Sequence, residues 1–221
     1  MKEKILVSWS GGKDSILSLY EITRSFDYEI VLLTTISEEY NRICMHGVRE
    51  SLLDKQAKSL GYPLEKVYVP LGATMSIYDS IMRKVLIKYV REGFTSVVHG
   101  DIFLEDLKKY REDNLAKVGM KGIFPLWKRS SEELSYRFID LGFKAIITCV
   151  DSESLDKSFV GRIYDKEFIS QLPESVDICG ENGEFHSFVF DGCLFKEKLY
   201  FATDEVVFRD NRFYFCDLIE K

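Results

Sequence analysis

The hexapeptide Ser10-Gly11-Gly12-Lys13-Asp14-Ser15 constrains the fold of this 221-residue chain more than any other stretch. It separates residues 4–8, an apolar run that reads as a buried strand, from residues 14–24, which read as a helix. Ile16, Leu17, Leu19, Tyr20 and Ile22 give that helix a wide apolar face. Two glycines let the connecting backbone turn tightly and approach a ligand. Loop amides and the helix N-terminus then point at one spot, which favours an anion. Ser10 and Ser15 add hydroxyl donors, and Lys13 adds positive charge. The spacing fits neither GxxxxGK(S/T) nor GxGxxG, so both of those phosphate fingerprints are set aside. Without a ligand the same residues make a glycine turn, with Ser10 or Asp14 as helix cap.

The alternation continues through the first half. Residues 29–36, 65–70, 96–100 and 144–150 read as further strands. Residues 48–60, 76–91 and 103–118 read as helices, the first two stopped by Gly61 and Gly93. Ser130 and Glu133 form a capping box before a helix ending near Gly142. Alternating strands and helices imply βαβ units and a mostly parallel, Rossmann-like sheet in the α/β class. Its crevice lies at the carboxyl ends of the strands, where the polar clusters after strands one, two, four and five are expected to meet.

The pattern changes after residue 150. Residues 154–172 read as one helical segment, and 184–190, 199–208 and 212–218 as strands. Asp210-Asn211 suits a hairpin turn. The expected division is residues 1–150 as a nucleotide-binding α/β domain and 151–221 as a smaller α+β substrate-binding region. No Pro/Gly/Ser-rich linker separates them.

Composition narrows the partners. Thirty basic against 36 acidic residues give a net charge of −6, which disfavours bulk nucleic-acid binding. No apolar run reaches the ~18–20 residues of a membrane span, and the apolar stretch at the N-terminus is too short for a signal peptide. A cytoplasmic protein is expected. The five cysteines are odd in number and contain no CxxC, so neither disulfides nor a structural zinc site is expected.

Three more clusters stand out. Met45-His46-Gly47 opens the second helix, where His46 reads as a cap, a turn residue or a ligand. Gly100-Asp101 follows the fourth strand, and Asp101 reads equally as a helix cap or as a nucleotide or metal contact. Glu181-Asn182-Gly183-Glu184 precedes His186; it reads as a polar turn, or as paired carboxylates gripping a cation or ammonium.

SGGKDS after a short strand resembles the PP-loop of the N-type ATP pyrophosphatases, which cleave ATP between the α- and β-phosphates and adenylate a substrate. The stretches MHGVRESLLDKQAKSLGYPL, GDIFLEDLKKYRED, FPLW, GRIYDKEF and CGENGEFHSFVFDG resemble one family within that superfamily, the diphthine–ammonia ligases (diphthamide synthases), over nearly the whole chain. The resemblance implies a HUP-type ATP pyrophosphatase domain and an amide-forming ligase using ATP, Mg²⁺ and ammonia. It implies Ser10 to Ser15 around the departing pyrophosphate, with Lys13 and Asp14 catalytic. Thr35, Met45, His46, Gly100 and Asp101 would contact the nucleotide, and Asp14 and Asp101 the metal. Glu181, Asn182, Gly183, Glu184 and His186 would face the substrate or ammonia, Glu184 as a catalytic group. The implied acceptor is diphthine on elongation factor 2, or another carboxylate in a bacterial relative. The aromatic tail, Phe213-Tyr214-Phe215, leaves room for a homodimer. Two other readings stand beside this one. A tRNA-modifying PP-loop enzyme would call on Cys44, and a sensor module would hold ATP without turning it over.

Overall fold

Parallel strand pairing organises the first half. The computed structural model describes residues 2–221. In chain order the elements are β1 (Glu3–Ser8), α1 (Lys13–Ser25), β2 (Tyr28–Ser37), β3 (Arg42–Ile43), α2 (Glu50–Leu60), β4 (Leu64–Val69), α3 (Met75–Arg91), β5 (Phe94–Val98), α4 (Glu105–Ala116) and β6 (Lys121–Ile123). There follow α5 (Ser131–Asp140), β7 (Lys144–Asp151), α6 (Lys166–Ser170), β8 (Phe185–Asp191), β9 (Phe201–Arg209) and β10 (Phe213–Glu220). β1 lies between β2 and β5, and β6 joins β5, all in parallel. β4 pairs in parallel with β2, and the short β3 folds back antiparallel to its end. The mixed α/β class with a mostly parallel central sheet is as expected.

The two faces of the sheet bury different sets. Leu6, Leu33, Val67 and Val97 meet Leu86 and Tyr89 of α3 and Leu115 of α4. Ile5, Val7 and Val98 belong to a larger core with α1, α2 and much of the second half, including Phe138, Tyr164 and Phe188. The two halves therefore share one core rather than meeting across a solvent-lined boundary.

Two expectations fail here. The run KAIITCV was expected to extend the parallel sheet. It is β7, and it lies between β8 and β10 in a separate four-stranded antiparallel sheet ordered β8-β7-β10-β9. The change of sheet falls between Ile123 and Lys144. The polar end of β7 consequently does not join the cluster, because Asp151 is bound by Arg212 at 2.6 Å. Residues 154–172 were expected to be helical, yet only Lys157–Phe159, as one 3₁₀ turn, and α6 are. Gly161 adopts φ +80° and breaks the helix. The chain then runs beside β7, where Ile147 N donates to Arg162 O and Tyr164 N donates to Ala145 O. β10 reaches only Cys149–Asp151 of β7, so that edge is free to be covered in this way.

Local signals elsewhere match the structure. Gly61 ends α2 with φ +82°, and Ser130 Oγ accepts from Glu133 N at 3.4 Å to cap α5. Asp210 and Asn211 both have positive φ, as a type I′ hairpin between β9 and β10 requires.

Candidate active site

The loop between β1 and α1 is held from two sides. Gly11 adopts φ +72°, and a Cβ there would lie 2.8 Å from Gln56 Oε1 and from Leu53 Cδ2. Gly11 O accepts from Val189 N of β8 at 2.9 Å and from Gln56 Nε2 at 3.0 Å. Gly12 caps α1, and its N–H donates to Ser10 Oγ at 3.2 Å. Lys13 N donates to Ser187 Oγ at 3.2 Å, while Ser15 Oγ donates to Gly12 O at 2.8 Å. The partners of both loop amides are hydroxyls, which can turn to donate to an incoming anion.

A cavity of about 770 Å³ opens beside this loop, at the carboxyl edge of the sheet on the α3/α4 side. Ser10, Thr35, Met45, His46 and His186 line it. His46 and His186 pack ring to ring at 4.4 Å. Burial lowers both imidazoles, His46 to about 4, so the pair is uncharged at neutral pH. His46 Nδ1 lies 3.4 Å from Ser187 O, and its Cε1 would be 3.3 Å from a Cβ on Gly12. Met45 adopts φ +67° and stays exposed at the cavity mouth, an unusual conformation for a side chain of its size.

Lys13 and Asp14 do not line that cavity. Lys13 is 3% exposed, with Nζ 2.8 and 3.0 Å from the Asp14 carboxylate oxygens. Tyr164 and Phe185 of the second half enclose the ammonium at 5.9 and 5.5 Å from their ring centres. Burial works to lower this lysine, and Asp14 more than offsets it, so Lys13 stays charged. Gly100 packs onto the first turn of α1, where a Cβ would meet the Asp14 backbone at 3.0 Å. Asp101 is buried with Arg111 Nε 2.8 Å away, and burial raises its carboxyl.

The 181–184 turn meets the same region from the second half. Glu181 Oε1 accepts from Ile102 N at 2.7 Å, and burial pushes its carboxyl up to about 7. Asn182 N and Asp177 N donate to Glu184 at 3.0 and 2.9 Å, and Asn182 Nδ2 adds a third bond at 2.9 Å. The Glu184 carboxylate is thus engaged in closing its own turn, and Gly183 supplies φ +91° there. Among the described residues, no group of three or more His, Cys, Asp or Glu is spaced to hold a metal ion.

One supporting residue escapes the sequence reading. Gln56 is fully buried, accepts from Trp9 Nε1 at 2.9 Å and donates to both Gly11 O and Val189 O. It ties the loop, α2 and β8 together. The available signal was a polar residue on the apolar stripe Leu52, Leu53, Ala57, Leu60.

Comparison with known proteins adds to this geometry. Residues 3–122 match the family model described as diphthamide synthase N-terminal domain, and residues 130–219 the one described as diphthamide synthase C-terminal domain. A diphthine–ammonia ligase of Danio rerio is 28% identical over 227 residues, covering 92% of this chain and 89% of that protein. The diphthine–ammonia ligase of Homo sapiens is 25% identical over 222 residues, covering 90% and 82% respectively. The relative of the same name in Schizosaccharomyces pombe is 25% identical and covers 92% of this chain but 37% of its own length. Fold and family models together define an ATP-dependent ligase. The chain belongs to the diphthamide synthase family, with both of the family's domains matched.

Proposed function

We propose that this ligase adenylates a carboxylate with ATP at the Ser10–Ser15 loop and passes the acyl group to ammonia. The observation that carries the reading is the glycine loop and helix N-terminus opening on a cavity of about 770 Å³, with two uncharged histidines beside the loop. A carboxylate oxygen attacks the α-phosphorus, and the bond to the β-phosphate bridging oxygen breaks. Pyrophosphate leaves toward the loop amides and the Ser10 and Ser15 hydroxyls. Ammonia then attacks the acyl carbon, and the bond to AMP breaks. Ammonia sheds a proton in this step, and Glu181, at about 7, is matched to take it near neutral pH. Glu184 and Asn182 hold the turn that presents Glu181.

Mg²⁺ fits as a companion of the triphosphate, since such ions take one or two carboxylates plus phosphate oxygens. Asp14, beside the loop, is the carboxylate that would supply a ligand. Asp101 is the second candidate, and each of the two carboxylates would share its oxygens with a cation already in place, Lys13 for Asp14 and Arg111 for Asp101. The family relatives named diphthine–ammonia ligase make diphthine on elongation factor 2 the first acceptor to test. Sulfur transfer through Cys44 is disfavoured, because burial raises that thiol and depletes the thiolate.

Incubation with α-labelled ATP, magnesium, ammonium and the acceptor should yield AMP and pyrophosphate in equal amounts. Release of ADP and inorganic phosphate would overturn the proposal. Product formation with a free carboxylate but not with diphthine would keep the chemistry and replace the acceptor.

A further inference from the structure

His99 lines the cavity with both ring nitrogens unpaired among the described residues. It follows β5, beside β1 in the sheet, where Val7 aligns with Val98. Strand alternation sends Val97 to the α3/α4 face and Val98 to the opposite one. His99 follows Val97, and both line the cavity with Leu33, Leu86 and Leu115. The residue is 7% exposed, yet neither ring nitrogen has a hydrogen-bond partner among the described residues. Phe124 stacks on the ring at 5.5 Å and 23°, which fixes its plane.

A buried polar group without a partner is costly, and native proteins retain few of them. The imidazole has two ring nitrogens, each able to take part in a hydrogen bond. Leu33, Leu86 and Leu115 share the cavity wall with polar groups that include Tyr110 and Arg111, and the anion loop opens on the same cavity through Ser10. A ligand that satisfies both the loop and the unpaired ring nitrogens carries phosphates and a flat heteroaromatic ring with edge nitrogens.

We propose that His99 is a nucleobase-binding residue, hydrogen-bonding the adenine edge of ATP while the loop holds its phosphates. This inference rests on the nucleotide site proposed above and assigns a residue to the base.

The test is calorimetric titration of wild type, His99→Phe and His99→Gln with ATP and with inorganic tripolyphosphate, alongside melting curves without ligand. Phe keeps the ring volume and removes the unpaired nitrogens. His99→Phe should therefore melt no lower than wild type, whereas a structural histidine would lower the midpoint. Its Kd for ATP should rise about ten-fold or more, the loss of one good buried hydrogen bond. Its Kd for tripolyphosphate should stay within two-fold, and His99→Gln should recover part of the ATP affinity. Equal ATP affinity in wild type and His99→Phe overturns the assignment. So does an equal loss for ATP and tripolyphosphate, which would place the residue's effect at the loop. Wild-type protein that binds neither compound overturns the nucleotide site itself.

Discussion

Replacing Gln56 by Leu tests how the phosphate loop is held. Leu is close in size and removes every polar atom of the side chain. Trp9 Nε1 loses its 2.9 Å acceptor inside the protein, where water cannot replace it. Orphaning such a group costs roughly 1–3 kcal/mol. Two further bonds, to Gly11 O at 3.0 Å and to Val189 O at 2.6 Å, are also lost. Gly11 O keeps Val189 N, so that loss is the milder one, at about 1 kcal/mol. Val189 O, counted like the Trp9 donor at roughly 1–3 kcal/mol, brings the sum to about 3–7 kcal/mol. At about 2–4 °C per kcal/mol for a chain of this size, the melting midpoint should fall on the order of 10 °C. The loop should also lose its register, so AMP formation should drop further than the unfolded fraction explains. Urea denaturation read by tryptophan fluorescence gives the first quantity, and turnover well below the midpoint gives the second. A variant within 1 kcal/mol of wild type, with normal turnover, would refute the hub.

Other consequences are open to measurement. Glu181 is raised by burial to about 7 in the folded chain, above its unfolded value, so the folded state binds the extra proton between pH 4.5 and 7. Stability should thus fall as pH rises through that window, and Glu181→Gln should flatten this part of the urea-derived stability curve. Burial alone would raise Asp217, but hydrogen bonds from Arg42 and Arg49 hold it well below the usual carboxylate range. Its contribution is present at neutral pH and lost as pH falls below about 4, so Asp217→Asn should be less stable at pH 7 and converge on wild type in acid. Gly12→Ala would bring a methyl group to 3.0 Å from Ser187 O and 3.3 Å from His46 Cε1. It should fold with little loss of stability but cut AMP formation about ten-fold or more, as an initial-rate assay would register.

Much of this molecule was legible because short-range rules decided it. The loop lies between a buried strand and an amphipathic helix, and the glycine stop at Gly61, the Ser130 cap and the Asp210-Asn211 turn each follow from local backbone chemistry. The failures are long-range. An apolar run such as KAIITCV is compatible with either sheet, and only its partners β8 and β10 decide. Val160, Tyr164 and Phe168 repeat at helical spacing, but Gly161 and the free edge of β7 impose another path. β3 and β6 span two and three residues, too few for periodicity to register. Within the site, Met45, His46 and His186 line the cavity beside the loop. The burial of Lys13 against Tyr164 and Phe185 depends on residues more than a hundred positions away.

The stitching of the loop to β8 also governs when the site comes into being. Lys13 N and Ser187 Oγ are 174 positions apart in the chain. At about 5–20 residues per second, a ribosome needs about 10–35 s to make the second partner after the first. Throughout that interval the hexapeptide is present but lacks the clasp that sets its shape. Until β8 has been made, the loop therefore lacks a partner that the folded chain gives it.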